Sequence, residues 1–169
     1  MSASVLTGLV GVLGAAVGGL AAFAGTWWHG RADRRRADDA RADARRDLRR
    51  TACVGYLAAL DLYQERARDL LGAISGGSAD RRAVAQSRYQ QAWRGLVDAL
   101  AAVQIAGPEP VSAAGTTLHD AATSYGLAVD ARLAGGRGVT GPGADLDRRL
   151  GDARRQFAGT ARAALALDA

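Results

Sequence analysis

Uncharged positions fill the first part of the chain and then stop abruptly. Val5 to Trp28 are twenty-four consecutive residues without a charge or a proline. A helix of that length can cross a bilayer core of about 30 Å. We therefore predict a transmembrane anchor over residues 1–29.

The residues that follow this segment indicate the orientation of the anchor. An aromatic pair lies where an interfacial belt is expected, and an arginine cluster comes directly after it. The predicted membrane-interface residues are Trp27, Trp28, His29, Arg31, Arg34, Arg35 and Arg36. Because arginine-rich flanks stay on the cytoplasmic side, we expect an N-terminus outside and a C-terminal domain in the cytoplasm. The arginines would contact the anionic headgroups of the cell membrane.

A cleaved secretory signal is the alternative to an anchor, since Ala22-Phe23-Ala24 has the small-x-small form of a cleavage site. No Lys or Arg precedes the apolar run, however, and the run is longer than a typical signal core. These two features favour an anchor that is retained.

Small residues recur at spacings of three and four within the predicted anchor. In lipid, such a face lets two helix backbones approach closely, so it predicts self-association. Eleven of the twenty-four residues are Gly or Ala, so this register also arises readily by chance. The predicted packing face consists of Gly8, Gly11, Gly14, Ala15, Gly18, Ala22 and Gly25.

Residues 30–47 alternate Arg, Asp and Ala, with alanine as the only apolar side chain. Oppositely charged residues stand three or four apart, as in Asp38 and Arg41, and each such pair adds about 0.2–0.5 kcal/mol to a helix. We predict a solvated helical stalk that continues the anchor.

From residue 48 onward, apolar residues recur at threes and fours in four segments, which is typical of helices that bury one face. Gly-, Ser- and Pro-rich stretches at 75–78, 107–110 and 135–143 separate the segments. Similar lengths and short connections favour an antiparallel four-helix bundle over residues 48–169. The predicted buried stripes include Leu48, Tyr56, Leu60 and Tyr63, then Tyr89, Trp93 and Leu96, then Leu118, Ala122 and Tyr125, then Leu150, Ala153 and Phe157.

The composition indicates a thin core, because the chain contains 39 Ala but only 9 aromatic residues. All 22 basic residues are Arg, which is typical of a GC-rich genome such as that of an actinobacterium. The net charge of +5 is concentrated in residues 31–50, which contain nine Arg and five Asp.

Candidate catalytic chemistry is sparse. His119, on the flank of a helix, is expected to be a surface or boundary residue, and Cys53 is expected to be a small core residue without a base partner. Two Glu in the whole chain cannot supply a di-iron site, and the glycine-rich stretch 135–143 lacks the Lys of a phosphate-binding loop. We expect no catalytic, cofactor-binding or metal-binding residues.

Nucleic-acid binding is an alternative, because the sequence pI is about 10.3. The stalk arginines are nevertheless interleaved with aspartates and have no aromatic residues for base stacking. We therefore favour lipid headgroups over nucleic acid as their partner.

The chain combines an anchor, an Arg/Asp/Ala helix and an amphipathic helix that opens with Arg49-Arg50-Thr51-Ala52-Cys53-Val54-Gly55-Tyr56-Leu57-Ala58-Ala59-Leu60. This layout resembles small single-pass membrane proteins of Streptomyces and its relatives. Some of these carry the label kilB, a plasmid-spread protein. The resemblance implies a membrane component tied to conjugation or mobile elements, with no catalytic residues to carry over.

The preferred hypothesis is a non-enzymatic, membrane-anchored interaction module that acts in the cytoplasm on a protein partner not yet identified, with possible self-association through the anchor. The alternatives are a nucleic-acid-binding transfer accessory and a stalk or scaffold component of a membrane complex.

Overall fold

A computed structural model describes the backbone of residues 3–76, 78–135 and 142–167, and within these ranges the side chains of residues 38–166. Every regular element in those ranges is an α-helix. Helix α1 is Ala3–Gly76, α2 is Ala79–Ala106, α3 is Glu109–Leu133 and α4 is Ala144–Leu167. The prediction of an all-α helical bundle is confirmed for this part of the chain.

Contacts divide the chain into two units, Met1–Ala44 and Arg45–Ala169. The side chains described in the first unit begin at Asp38 and are exposed. Asp38 accepts a hydrogen bond of 2.8 Å from Arg41, which is one of the ion pairs predicted for the stalk.

Within the described residues, no helix holds a stretch that is both apolar enough and long enough to span a bilayer. The predicted anchor over residues 1–29, its membrane-interface residues and its small-residue packing face lie outside the residues whose side chains are described.

The helix ends of the second unit follow from local chemistry. The Ser78 hydroxyl accepts a hydrogen bond from the Arg81 amide at 3.3 Å and so caps α2, because a helix leaves its first amides without partners. Pro110 occupies the first turn of α3, where its missing amide costs nothing. Gly135 follows α3 with a φ of +78°, a conformation that glycine adopts without strain. These ends coincide with the predicted helix stops.

Hydrogen bonds show that α1 and α2 run antiparallel. Near the start of the bundle, Arg49 donates through Nε to the carbonyl oxygen of Ala106, at the end of α2, over 3.1 Å. Further along α1, the Tyr63 hydroxyl lies 3.1 Å from that of Tyr89, nearer the start of α2. The order of contacts is therefore reversed between the two helices.

Helices α3 and α4 complete the alternation. The Tyr56 hydroxyl donates to the Gly115 carbonyl at 3.1 Å, and the Tyr63 hydroxyl donates to the Ala122 carbonyl at 3.4 Å, so α3 is parallel to α1. The Tyr56 ring meets Phe157 of α4 edge to face, with centroids 5.3 Å apart, and Asp61, later in α1, pairs with Arg154, earlier in α4, so α4 is antiparallel to α1. The helices thus alternate in direction, as expected when short loops join neighbours.

The predicted stripes form the core with one clear exception. Leu48 is 60% exposed, so its assignment to the buried stripe of α1 was wrong. The buried face of α1 begins at Cys53, whose position in the core is confirmed. Its buried members are Cys53, Tyr56, Leu60, Tyr63, Ala67, Leu70 and Ala73.

Candidate binding surfaces of the bundle

Tyr63 lies at the centre of an aromatic cluster and is completely buried. Its ring centroid is 5.4 Å from those of Tyr89 and Trp93 and 6.5 Å from that of Tyr125. Such separations are typical of favourable aromatic pairs, each worth about 0.5–1.5 kcal/mol beyond area burial. The cluster connects α1 with α2 and α3.

The hydroxyl groups of this cluster lie within hydrogen-bond distance of one another. The Tyr63 hydroxyl oxygen is 3.1 Å from that of Tyr89 and 3.4 Å from the carbonyl oxygen of Ala122. Either tyrosine can donate in the contact between the two hydroxyls. Because a phenol oxygen has two lone pairs, the Tyr89 oxygen keeps at least one of them as an acceptor in either case.

Gly126 makes room for these hydroxyls. A Cβ atom at this position would lie 2.5 Å from the Tyr63 oxygen and 3.1 Å from the Tyr89 oxygen. No side chain fits there unless the tyrosines move. The absence of a side chain at Gly126 therefore allows the two rings to reach between α2 and α3.

A pocket of about 450 Å³ opens to the surface beside this cluster, between α2 and α3. We call it the aromatic pocket. It combines apolar ring surface with charged and amide side chains. Its lining consists of Tyr63, Tyr89, Gln90, Trp93, Arg94, Thr123, Gly126, Leu127 and Asp130.

The electrostatics of the aromatic pocket are set by burial and by one carboxylate. Burial raises the pKa of Tyr63 and of Tyr89 above that of a free phenol. The Asp130 carboxylate adds to both increases, which places its negative charge within electrostatic range of both hydroxyls. Both tyrosines are neutral hydrogen-bonding groups at neutral pH.

A second concavity follows the seam between α1 and α2 and has a volume of about 560 Å³. We call it the α1–α2 groove. Small residues form most of its floor, while Leu48 and Ile105, which are 60% and 85% exposed, project at one end. Its lining consists of Leu48, Thr51, Ala52, Gly55, Ala59, Gly95, Ala99, Ala102, Ile105 and Ala106.

The groove floor has unused space. A Cβ atom added at Gly55 or at Gly95 would have no neighbouring atom within 4 Å. The α1 residues that line the groove extend from Leu48 to Ala59, about three helical turns or 17 Å. The groove is therefore long enough for a short helical segment.

The seam changes character beyond Ala59 and Gly95, where a further concavity of about 650 Å³ begins. Arg66 and Arg88 line this continuation together with polar Gln91. Arg66 is held by Asp69 at 2.9 Å and by Glu65 at 3.3 Å. The seam is thus apolar at the Leu48 end and bears arginines at the other.

His119 lies half-buried at the edge of α3, as expected for a boundary residue, and stacks on Trp93 with centroids 5.0 Å apart. Its Nδ1 atom is buried without a hydrogen-bond partner. Burial lowers its pKa, which the neighbouring Asp120 carboxylate partly offsets. The imidazole is therefore held in its neutral form.

Cys53 is 6% exposed, and burial raises the pKa of its thiol, which disfavours the reactive thiolate. Among the described side chains, no group of three His, Cys, Asp or Glu residues is arranged to hold a metal ion.

Neither surface was predicted from the sequence. The groove could have been suspected from Gly95, Ala99, Ala102 and Ala106, which repeat small residues at threes and fours next to the buried stripe of α2. The close approach at Gly126 could have been suspected because this glycine lies among the apolar residues of α3, where a missing side chain leaves space for one from another helix.

Comparison with known protein families, with curated proteins and with solved structures gave no match for this chain.

Proposed function

We propose that this chain is a non-enzymatic, single-pass membrane protein whose helical bundle serves as an interaction module on the cytoplasmic side. The apolar run Val5–Trp28 and the arginines that follow it support the anchor and its orientation. The resemblance to kilB-type proteins adds a link to plasmid spread. The α1–α2 groove is the observation that carries the interaction module.

The groove supports a binding role because it combines exposed large apolar side chains with an unfilled floor. Leu48 and Ile105 leave most of their surface in water at one end of the same groove, and clustered exposed apolar side chains are typical of interaction sites. Gly55 and Gly95 leave room for the side chains of that partner. A helix laid into a groove of small residues can approach closely and use this space.

The partner that fits is an amphipathic helix with one acidic end. Its apolar face would cover Leu48 and Ile105, and its acidic end would lie beside Arg88 in the continuation of the seam, since Arg66 is already paired with Asp69 and Glu65. A second copy of the chain is not the proposed occupant of the groove. Contact between copies is assigned instead to the predicted small-residue face of the anchor, around Gly18.

A topology assay tests the membrane part of the proposal. Reporter fusions after His29 and at Ala169 are expected to report a cytoplasmic location at both positions. Activity of an export-dependent reporter at Ala169 would contradict the orientation. For self-association, cross-linking of the intact protein is expected to give fewer dimers for Gly18→Leu than for the unmodified chain; equal yields would contradict the packing face.

A peptide titration tests the groove. The probe is a labelled Ala/Leu amphipathic helix of about five turns with Glu at one end, and the comparison peptide carries Lys at that end. The full-length protein in neutral detergent should bind the acidic peptide more tightly. Gly95→Leu fills the floor and should weaken binding about tenfold, which is about 1.4 kcal/mol.

Gly159→Leu is the matched control, because Gly159 is also an exposed helical glycine with open space around its Cβ position but lies on α4, outside the groove. It should leave peptide binding unchanged. Equal binding of the two peptides, or equal effects of the two substitutions, would contradict the assignment of the groove to an acidic amphipathic helix.

A further inference from the structure

The aromatic pocket is separate from the α1–α2 groove and has a different chemical character. It presents ring surface from Trp93, a buried hydroxyl from Tyr89 and a carboxylate from Asp130. Each of these groups favours a positively charged ligand: the rings through their negative faces and the oxygens as acceptors.

The hydrogen bond between the two tyrosines leaves an acceptor in the pocket. Tyr63 and Tyr89 share a contact of 3.1 Å in which either hydroxyl can be the donor. The Tyr89 oxygen has two lone pairs, so at least one of them remains to accept a hydrogen bond. A ligand that brings its own N–H donor matches this acceptor.

The charged residues of the pocket lie at its two ends. Asp130 is one helical turn beyond Gly126, whereas Arg94 is five residues beyond Tyr89 on the antiparallel helix α2. Gly126 faces the Tyr89 hydroxyl, so the backbone positions of Asp130 and Arg94 are separated by these two intervals together. At 1.5 Å per residue, the separation along the helix axes is about 13 Å. The carboxylate and the guanidinium are therefore carried by backbone positions at opposite ends of the pocket.

We propose that the aromatic pocket binds a small primary amine in its ammonium form, with a ring as its apolar body. The ammonium group donates hydrogen bonds to the Asp130 carboxylate and the Tyr89 hydroxyl oxygen. The ring lies against Trp93 and Leu127, which form the apolar wall. A volume of about 450 Å³ accommodates a molecule of this size.

The test uses full-length protein in neutral detergent and isothermal titration with benzylamine at pH 7, where the amine is protonated. Benzyl alcohol has the same shape and no charge and is expected to bind at least tenfold more weakly. Butylamine, with the chemistry of a lysine side chain, should also bind more weakly, because it has no ring to place on Trp93. Equal binding of either compound would overturn the proposal, as would the absence of benzylamine binding.

Variants locate the binding. Asp130→Asn should weaken benzylamine binding about tenfold, since it replaces a charged acceptor with a neutral one. Asp98→Asn is the matched control, because Asp98 is exposed on α2 and does not line the pocket. Tyr89→Phe should weaken binding severalfold by removing the acceptor oxygen. An unchanged affinity in Asp130→Asn, or the same loss in Asp98→Asn, would refute the assignment.

Discussion

Replacing Gly126 with alanine should destabilise the bundle, although alanine is the better helix former. Alanine gains about 1 kcal/mol over glycine in a helix interior. Its Cβ atom would, however, lie 2.5 Å from the Tyr63 hydroxyl oxygen, closer than any normal contact between these atoms. The sign of the effect depends on whether Tyr63 can move away.

The surroundings of Tyr63 prevent that movement. Its side chain is 0% exposed, and it packs against Tyr89, Trp93 and Tyr125. Overpacking such a site costs about 1–3 kcal/mol. Displacing the hydroxyl also breaks its hydrogen bond with Tyr89, at about 1 kcal/mol. After the gain in helix propensity, we expect a net loss of about 1–3 kcal/mol in the free energy of unfolding.

Urea denaturation followed by circular dichroism measures this change, with Gly159→Ala as the control. Nothing lies within 4 Å of a Cβ atom at Gly159, so alanine there should stabilise the bundle by about 0.5–1 kcal/mol. The double variant Gly126→Ala/Tyr63→Phe, which lacks the obstructing oxygen, should be more stable than Gly126→Ala alone. A Gly126→Ala protein as stable as Gly159→Ala would refute the close contact between α1 and α3.

Three further predictions concern titratable groups and one ion pair. Cys53 should react with a maleimide far more slowly in the folded protein than in urea, because the thiol is buried and its pKa is raised; equal rates would place it at the surface. Since burial lowers the pKa of folded His119, the unfolded state binds its proton more readily, and the free energy of unfolding should fall as the pH drops below about 6.5. His119→Gln should weaken that dependence, and identical pH profiles would exclude the residue as its source. Arg154 reaches Asp61 across the α1–α4 interface at 2.6 and 2.9 Å, but both side chains are partly exposed. A double-mutant cycle should therefore give at most about 1 kcal/mol of coupling, and a larger value would mean that the pair is shielded from water.

Helix positions in this chain could be derived from sequence because they depend on neighbouring residues. Ser78 caps α2 through an amide only three residues away, and Pro110 and Gly135 act through their own backbone preferences. Apolar spacing likewise identified Tyr56, Tyr63 and most other core positions. Local sequence patterns are therefore sufficient to locate the helices and their ends.

The contacts between pairs of helices could not be derived from the sequence and are defined only in the folded bundle. Leu48 continues the apolar spacing of α1, yet it is exposed, because the seam between α1 and α2 is open beside it. The groove exists because small residues of α1 and α2 meet along one seam, and the aromatic pocket exists because Gly126 lies opposite Tyr63, which is distant in sequence. Periodicity specifies which face of a helix is buried, whereas the register between two helices results from the packing of all of them together.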